Sequence, residues 1–219
     1  MTTITTRAVL FDLDGTLLDT APDLVYALNR LRQEQGFTDM PLSEIRPIIS
    51  HGSKAMVKKV LGIEENDPAF PALRERFLEL YQNHLADSTR LFPDIDHVLN
   101  HLDQHRISWG IVTNKLSRQT FALLKALNFE KRPQCVICGD SLPAAKPDPA
   151  PIRYACELLN QDPQECIYIG DAMNDMIASK AAGTRSLVAL YGYIGEKENP
   201  FEWQADGYIH QPAEIIKWL

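Results

Sequence analysis

The stretch Ala8-Val9-Leu10-Phe11-Asp12-Leu13-Asp14-Gly15 limits the possible folds more than any other part of the chain. It opens with a short apolar run that is soon bounded by a glycine, which suits a strand buried on both faces, as in a parallel sheet. The run then delivers two carboxylates one residue apart. Burying unpaired carboxylates is expensive, so packing does not account for them. In open α/β sheets, ligands bind at the carboxyl ends of the strands. Asp12 and Asp14 therefore read as reactive groups at the rim of a parallel sheet. Gly15 gives the backbone freedom to leave the strand sharply.

From about Leu17 to Ala86 the pattern is helical, with no strand signal. Thr20 and Asp23 have capping-box spacing, with Pro22 in a first turn and Leu24, Leu28 and Leu31 at helical spacing. Pro41 to Gly62 reads as one or two helices with Ser43 as N-cap. Pro71 to Leu85 reads as another, striped by Leu73, Phe77, Leu80, Tyr81 and Leu85. Strands and helices alternate after Leu91. Strand patterns at 107–112, 134–137, 165–170 and 186–190 are separated by helical ones, and Gly183 is a natural C-cap. A short strand at 207–210 and a last short helix at 212–219 close the chain. This alternation predicts an α/β fold, a Rossmann-like doubly wound parallel sheet with right-handed crossovers. A helical cap is inserted after strand 1, giving a core of residues 1–16 and 87–219 and a cap of residues 17–86.

The 219 residues carry a net charge of −7, which disfavours nucleic acid as a partner, since phosphate backbones attract basic faces. A small anionic substrate remains compatible, because a metal ion and one lysine reverse the field locally. No apolar run reaches membrane-spanning length and the N-terminus lacks a signal layout, so the expected location is the cytoplasm, with no membrane partner. Cys135 and Cys138 have the spacing of half a zinc site, but no second half follows. All four cysteines are read as small buried residues. His84, His97, His101 and His105 are read as surface residues, Asp140 and Asp148 as turn and capping residues.

Four polar clusters fall at or just after strand ends: Asp12/Asp14, Thr113/Asn114, Lys146 and Asp171/Asp175. Doubly wound geometry gathers them on one sheet edge. The set holds no GxSxG elbow, no phosphate-binding GxxxxGK[ST] loop and no GxGxxG fingerprint. Clustered carboxylates need a cation, and a few hard oxygen ligands suit Mg²⁺. A carboxylate can then attack phosphorus, giving an aspartyl-phosphate, while a second carboxyl serves the leaving oxygen. Charge on the equatorial oxygens would be met by Mg²⁺, Lys146 and the Thr113 hydroxyl.

Asp12-Leu-Asp14-Gly15-Thr16, Thr113-Asn114, Lys146-Pro147 and Gly170-Asp171-Ala-Met-Asn-Asp175 together resemble the four ordered motifs of the haloacid dehalogenase-like phosphatases. The resemblance implies Asp12 as nucleophile and Asp14 as general acid and base. It implies that the Asp12 carboxylate, the Asp14 carbonyl and Asp171 hold Mg²⁺. Thr113 and Asn114 would contact the phosphoryl group, Lys146 would neutralise it and orient Asp12, and Asp175 would ligate the metal through water or position Lys146. The second Asp is missing from the dehalogenase branch, so Asp14 points to phosphatase chemistry. Thr16 points the same way, since the sugar phosphomutases often carry Val there.

The helical insert is similar to the cap of the phosphoglycolate phosphatase group, in which a cap loop helps select the substrate. Here that loop is Ser50-His51-Gly52-Ser53-Lys54, with Lys54 placed to meet a substrate carboxylate and Gly52 permitting close approach. Ile49-Ser50-His-Gly52, Ala55-Met56-Val57 and the tail of Tyr191-Gly-Tyr-Ile194, Asn199-Pro200, Trp203 and Ala205-Asp206 resemble one branch of that group. N-acetylmuramic acid 6-phosphate phosphatases are found in that branch, although His51 stands where Gly is expected. The expected substrate is thus a small phosphorylated metabolite, 2-phosphoglycolate or N-acetylmuramic acid 6-phosphate, handled by a monomer or homodimer. The alternatives are a sugar phosphomutase and a non-catalytic binding module on the same fold.

Overall fold

The computed structural model describes residues 5–219. In chain order the elements are β1 (Ala8–Phe11), β2 (Leu18–Asp19), α1 (Ala21–Glu34), α2 (Leu42–Ile45), α3 (Gly52–Leu61), α4 (Phe70–Gln82), β3 (Arg90–Leu91), α5 (Ile95–His105), β4 (Ser108–Val112) and α6 (Ser117–Ala126). They continue with β5 (Val136–Ile137), α7 (Ala150–Leu158), β6 (Cys166–Gly170), α8 (Met173–Ala182), β7 (Arg185–Ala189) and β8 (Gly207–Ile209). Six strands form one sheet in the order β5-β4-β1-β6-β7-β8, and every pairing in it is parallel. This is the α/β architecture read from the alternation.

All four residues of β1 are buried, because β1 is central and covered on both faces. Phe11 lies level with Ile111 of β4 and with Ile169 of β6. The register therefore brings Asp12, the end of β4 and the end of β6 to one edge, within about two strand spacings. Trp109 of β4 packs edge-on against Phe11, with ring centroids 6.3 Å apart.

The helical segment leaves and returns through a small antiparallel ribbon, β2 with β3, in which Leu18 pairs with Leu91. Two residues per strand carry no periodicity, so this ribbon is invisible to pattern reading. Leu24, Leu28 and Leu31 of α1, Val57 and Val60 of α3, and Phe77 and Tyr81 of α4 form the buried stripes of the segment, continuous with the core beneath the sheet.

Three local expectations change. Thr20 and Asp23 do not form a capping box. The Thr20 hydroxyl donates to Asp14 Oδ1 at 2.6 Å, and Asp23 accepts from the Ser88 and Thr89 amides and the Thr89 hydroxyl, tying the returning chain to α1. Ser43 lies inside α2, which starts after Pro41, and 3₁₀ turns over Arg46–His51 separate it from α3. The last segment, Pro212–Trp218, is 3₁₀ rather than α-helical. As read from sequence, Gly183 closes α8 with φ 93°, and Asp140 and Asp148 accept from the amides of Ser117 and Ala150. All four cysteines are buried and unbridged.

Candidate active site

The sheet's carboxyl edge assembles the four sequence clusters. Asp12, Asp171 and Asp175 each place a carboxylate oxygen within 4.8 Å of the others, and all three are buried. Lys146 lies among them: its Nζ is 3.0 Å from Asp12 Oδ1 and 2.7 Å from Asp175 Oδ1. It also donates to the Tyr168 hydroxyl at 2.7 Å and the Val112 carbonyl at 2.9 Å. Burial opposes the Lys146 charge, but the Asp12 and Asp175 carboxylates outweigh it and hold the ammonium above its usual range.

Asp12 Oδ1 also accepts the Leu13 amide at 2.7 Å. Both donors thus converge on Oδ1, and no hydrogen-bond donor among the described residues reaches Oδ2. Burial raises the Asp12 pKa to about 6, opposed by Lys146 and assisted by the Asp175 charge. Burial likewise pushes Asp171 up to about 8, with the neighbouring Asp12 and Asp175 charges adding to it. Two acids held above their usual range, beside a third buried carboxylate and offering hard oxygen ligands, fit a hard divalent cation. Asp171 is the best placed to hold one, with Asp12 beside it. The donors to Asp171 are neutral, whereas Asp175 already has a cation: its Oδ1 takes Lys146 and the Tyr168 hydroxyl, and its Oδ2 takes the Ala172 amide at 3.0 Å.

Glycine is obligatory at the turn after β1. Gly15 has φ 85°, and a Cβ there would lie 2.2 Å from Asp171 Oδ2. Gly52, with φ 85° at the start of α3, lines the pocket and has open space around it, so its conformation rather than crowding selects glycine.

The side chain of Asp14 stands apart from the acidic triad. Its carboxylate is held by Lys115, with Nζ 2.8 and 2.9 Å from its two oxygens, and by Thr20. Sequence reading missed Lys115; its position directly after Thr113-Asn114 was the only available signal. Burial opposes its charge, but Asp14 and Tyr81 raise its pKa above the usual range. Tyr81 of α4 supports it, with Nζ 4.7 Å from the ring centroid. Tyr168, two residues before the end of β6, was missed as well.

Thr113 is buried, lines the pocket and accepts the Lys115 amide. Asn114 corrects an expectation. It lines the pocket, but its side-chain amide is spent at both ends: Nδ2 donates to the Lys146 carbonyl at 2.8 Å and Oδ1 accepts the Lys146 amide at 3.0 Å, which leaves its backbone for a phosphoryl group. The amide thus clamps the backbone that carries the lysine. Lys54 is a second correction. Its side chain is 60% exposed and its ammonium sits 2.9 Å from Glu65, so it does not face the pocket. Helix geometry explains this: Lys54 projects outward from α3, while Ser53 and Met56 line the cavity. Arg74 of α4, in the same helical segment, does line the pocket.

The helical segment and the sheet edge touch around the triad. The Ser50 hydroxyl donates to Asp171 Oδ2 at 2.8 Å, and Tyr193 N donates to the same oxygen. The Tyr193 hydroxyl accepts from the Thr20 and Ala21 amides and donates to Asp19, which also pairs with Arg46. Asp19 therefore organises the exit from the motif loop, and the tail aromatics Tyr191 and Tyr193 pack against Phe92 and the ribbon.

The chain matches the family model described as haloacid dehalogenase-like hydrolase over residues 9–189. It is 36% identical over 213 residues to the N-acetylmuramic acid 6-phosphate phosphatase of Pseudomonas aeruginosa, covering 97% of this chain and 94% of that protein. It is 38% identical over 209 residues to the phosphoglycolate phosphatase of Xanthomonas campestris pv. campestris, covering 95% and 94%. A crystal structure described as that of a predicted phosphoglycolate phosphatase from Haemophilus somnus 129pt superposes with a TM-score of 0.87 at 26% identity, covering 100% of this chain and 99% of that one. With the motifs gathered at one sheet edge and the match spanning most of its length, the chain belongs to the haloacid dehalogenase-like hydrolase family.

Proposed function

We propose that this phosphoric monoester hydrolase splits small phosphorylated acids through an aspartyl-phosphate. The observation that carries this reading is the arrangement around Asp12: Lys146 and the Leu13 amide converge on Oδ1, and Oδ2 is left without a donor at the pocket floor. Asp12 attacks phosphorus, forming the acyl-phosphate bond as the ester P–O bond breaks. Protonated Asp14 delivers its proton to the leaving oxygen. Asp14, then ionised and paired with Lys115, takes a proton from water, which attacks the acyl-phosphate and frees Asp12.

The residues that would hold the divalent cation are Asp12, Asp171 and the Asp14 carbonyl, with Asp175 positioning Lys146. Bound Mg²⁺ supplies neutralisation of phosphoryl charge. Thr113 and the Asn114 backbone would face the phosphoryl oxygens. Residues 17–86 act as the cap, and Gly52 lets its loop approach the leaving group. The names of the relatives point to 2-phosphoglycolate or N-acetylmuramic acid 6-phosphate as substrate. A cytoplasmic monomer or homodimer is in keeping with this reading, and the second substrate would place the protein in peptidoglycan recycling.

The test is phosphate release from both compounds with Mg²⁺, in wild type and Asp12→Asn. Turnover that vanishes in Asp12→Asn while the melting curve is retained supports the nucleophile; appreciable residual turnover removes it. A phosphomutase would instead show transfer that depends on a sugar bisphosphate. A binding module would show no turnover at all.

A further inference from the structure

We infer that Arg74 and Gln119 recognise the leaving half of the substrate, and that this half is a sugar acid bearing amide or hydroxyl groups rather than glycolate. The inference rests on the phosphatase reading above and deepens it by choosing between substrate classes.

Arg74 is a cation on the pocket wall opposite Asp12 and Asp14. Its Nε donates to the Ser53 hydroxyl at 2.9 Å, which fixes the plane of the guanidinium. No carboxylate among the described residues pairs with it: the neighbouring Glu75 and Glu79 are taken by Arg118 and Arg76. An oriented guanidinium fork with no acid of its own matches a ligand carboxylate.

Gln119, in the first turn of α6, is a buried residue on the same wall. Its Oε1 is buried without a hydrogen-bond partner, and its amide makes no hydrogen bond at either end among the described residues. Buried polar groups of native proteins are paired, so these atoms call for a ligand that offers donors as well as acceptors. Ionised phosphoglycolate presents a carboxylate and one methylene, with no N–H or O–H. It can answer Arg74 and accept from the Gln119 NH2 group, but it brings no donor for Gln119 Oε1. Leu24, Met56, Phe77 and Leu78 complete the wall, a contact area that a single methylene does not fill. An N-acylated sugar phosphate carrying an acid answers all of these groups at once.

The test uses the Mg²⁺-loaded enzyme, kcat/KM and four phosphates. These are N-acetylmuramic acid 6-phosphate, N-acetylglucosamine 6-phosphate (the same sugar without the lactyl acid), 2-phosphoglycolate and p-nitrophenyl phosphate. Wild type should favour the sugar acid over the plain sugar by roughly 10- to 100-fold, the factor given by charge-assisted hydrogen bonds. Arg74→Ala should bring that ratio close to one, and Arg74→Lys should restore part of it. Gln119→Met should lower kcat/KM for both sugars by roughly 10-fold and leave the aryl phosphate within about twofold.

The inference is overturned if wild type favours 2-phosphoglycolate, or if Arg74→Ala keeps the ratio. Equal losses on the aryl phosphate and the sugar acid overturn it too, since they mark a structural role. Each of those results leaves the phosphatase reading standing. Absence of aryl phosphate turnover in wild type sinks that reading and this inference with it.

Discussion

Replacing Lys146 with methionine keeps the volume of the side chain and removes the cation buried among Asp12, Asp175 and Tyr168. Breaking a buried ion pair from one side costs about 3–5 kcal/mol, because the remaining charges stay desolvated. Here the partners have an escape: they can take up protons. Asp12 already sits at about 6 instead of 3.8 with Lys146 present to oppose the shift. A carboxyl whose folded pKa is raised contributes no penalty at low pH and becomes destabilising as pH rises from its unfolded toward its folded value. For wild-type Asp12 that fall spans roughly pH 4 to 6, about two units or about 3 kcal/mol. Without Lys146 the folded pKa climbs further, so the fall continues above pH 6 at about 1.4 kcal/mol per unit. Urea denaturation of wild type and Lys146→Met should then differ by about 1–2 kcal/mol at pH 5.5 and by about 3–5 kcal/mol at pH 8, with similar m-values. Excess Mg²⁺ should narrow the gap at pH 8. An equal loss at the two pH values would refute the reasoning, because it would mean that the carboxylates do not sense the lysine.

Other consequences are accessible to the same measurements. Gly15→Ala would set a Cβ 2.2 Å from Asp171 Oδ2 in a backbone region with φ 85°, so it should cost about 1–3 kcal/mol in urea and abolish cation-dependent stabilisation. Asn114→Ala removes both hydrogen bonds to the Lys146 backbone; kcat should fall with KM little changed, and stability should drop by about 1–3 kcal/mol. Kinetics and melting of the variant, each set beside wild type, separate those two effects. Cations compete with protons at Asp171, held at about 8, and Asp12, held at about 6. Added Mg²⁺ should therefore raise the melting midpoint more at pH 8 than at pH 5.5; a larger rise at pH 5.5 would point to a site elsewhere.

The sheet was legible because each strand carries its own signal: continuous apolar runs of Ala8–Phe11 and Cys166–Gly170 that end in acids. The motif residues were legible because register alone converts strand ends into neighbours. What the pattern could not reveal were contacts chosen by three-dimensional competition. Thr20 and Asp23 have the spacing of a cap, yet Thr20 binds Asp14 in the turn before it and Asp23 binds Thr89 of the returning chain. Asn114 has the chemistry to meet a phosphate, yet the Lys146 backbone takes its amide first. Lys54 and Arg74 are both cations of the helical segment. Only the direction in which α3 and α4 face the sheet separates a solvated ion pair from a pocket wall.

The contacts between the helical segment and the sheet edge are graded along its length. Near the ribbon, Asp23 accepts three hydrogen bonds from Ser88 and Thr89, and the Tyr193 hydroxyl joins Asp19, Thr20 and Ala21. These groups are buried or nearly so, where each bond lost would leave an unpaired partner. Farther out, the ties are single: Ser50 on Asp171, the Tyr81 ring on Lys115, and the pairs of His51 with Glu198 and Arg118 with Glu75. Exposed pairs contribute about 0–1 kcal/mol each. Separation of the segment from the edge therefore costs least at its outer end and most at the ribbon. That gradient makes rotation about the ribbon easier than displacement of the whole segment. It also puts Ser50, whose hydroxyl touches a carboxylate of the triad, on the part held by the fewest bonds. The same carboxylate, Asp171, is fixed from the other side by Tyr193 N and by Thr16 at 3.2 Å, so its placement does not depend on Ser50 alone.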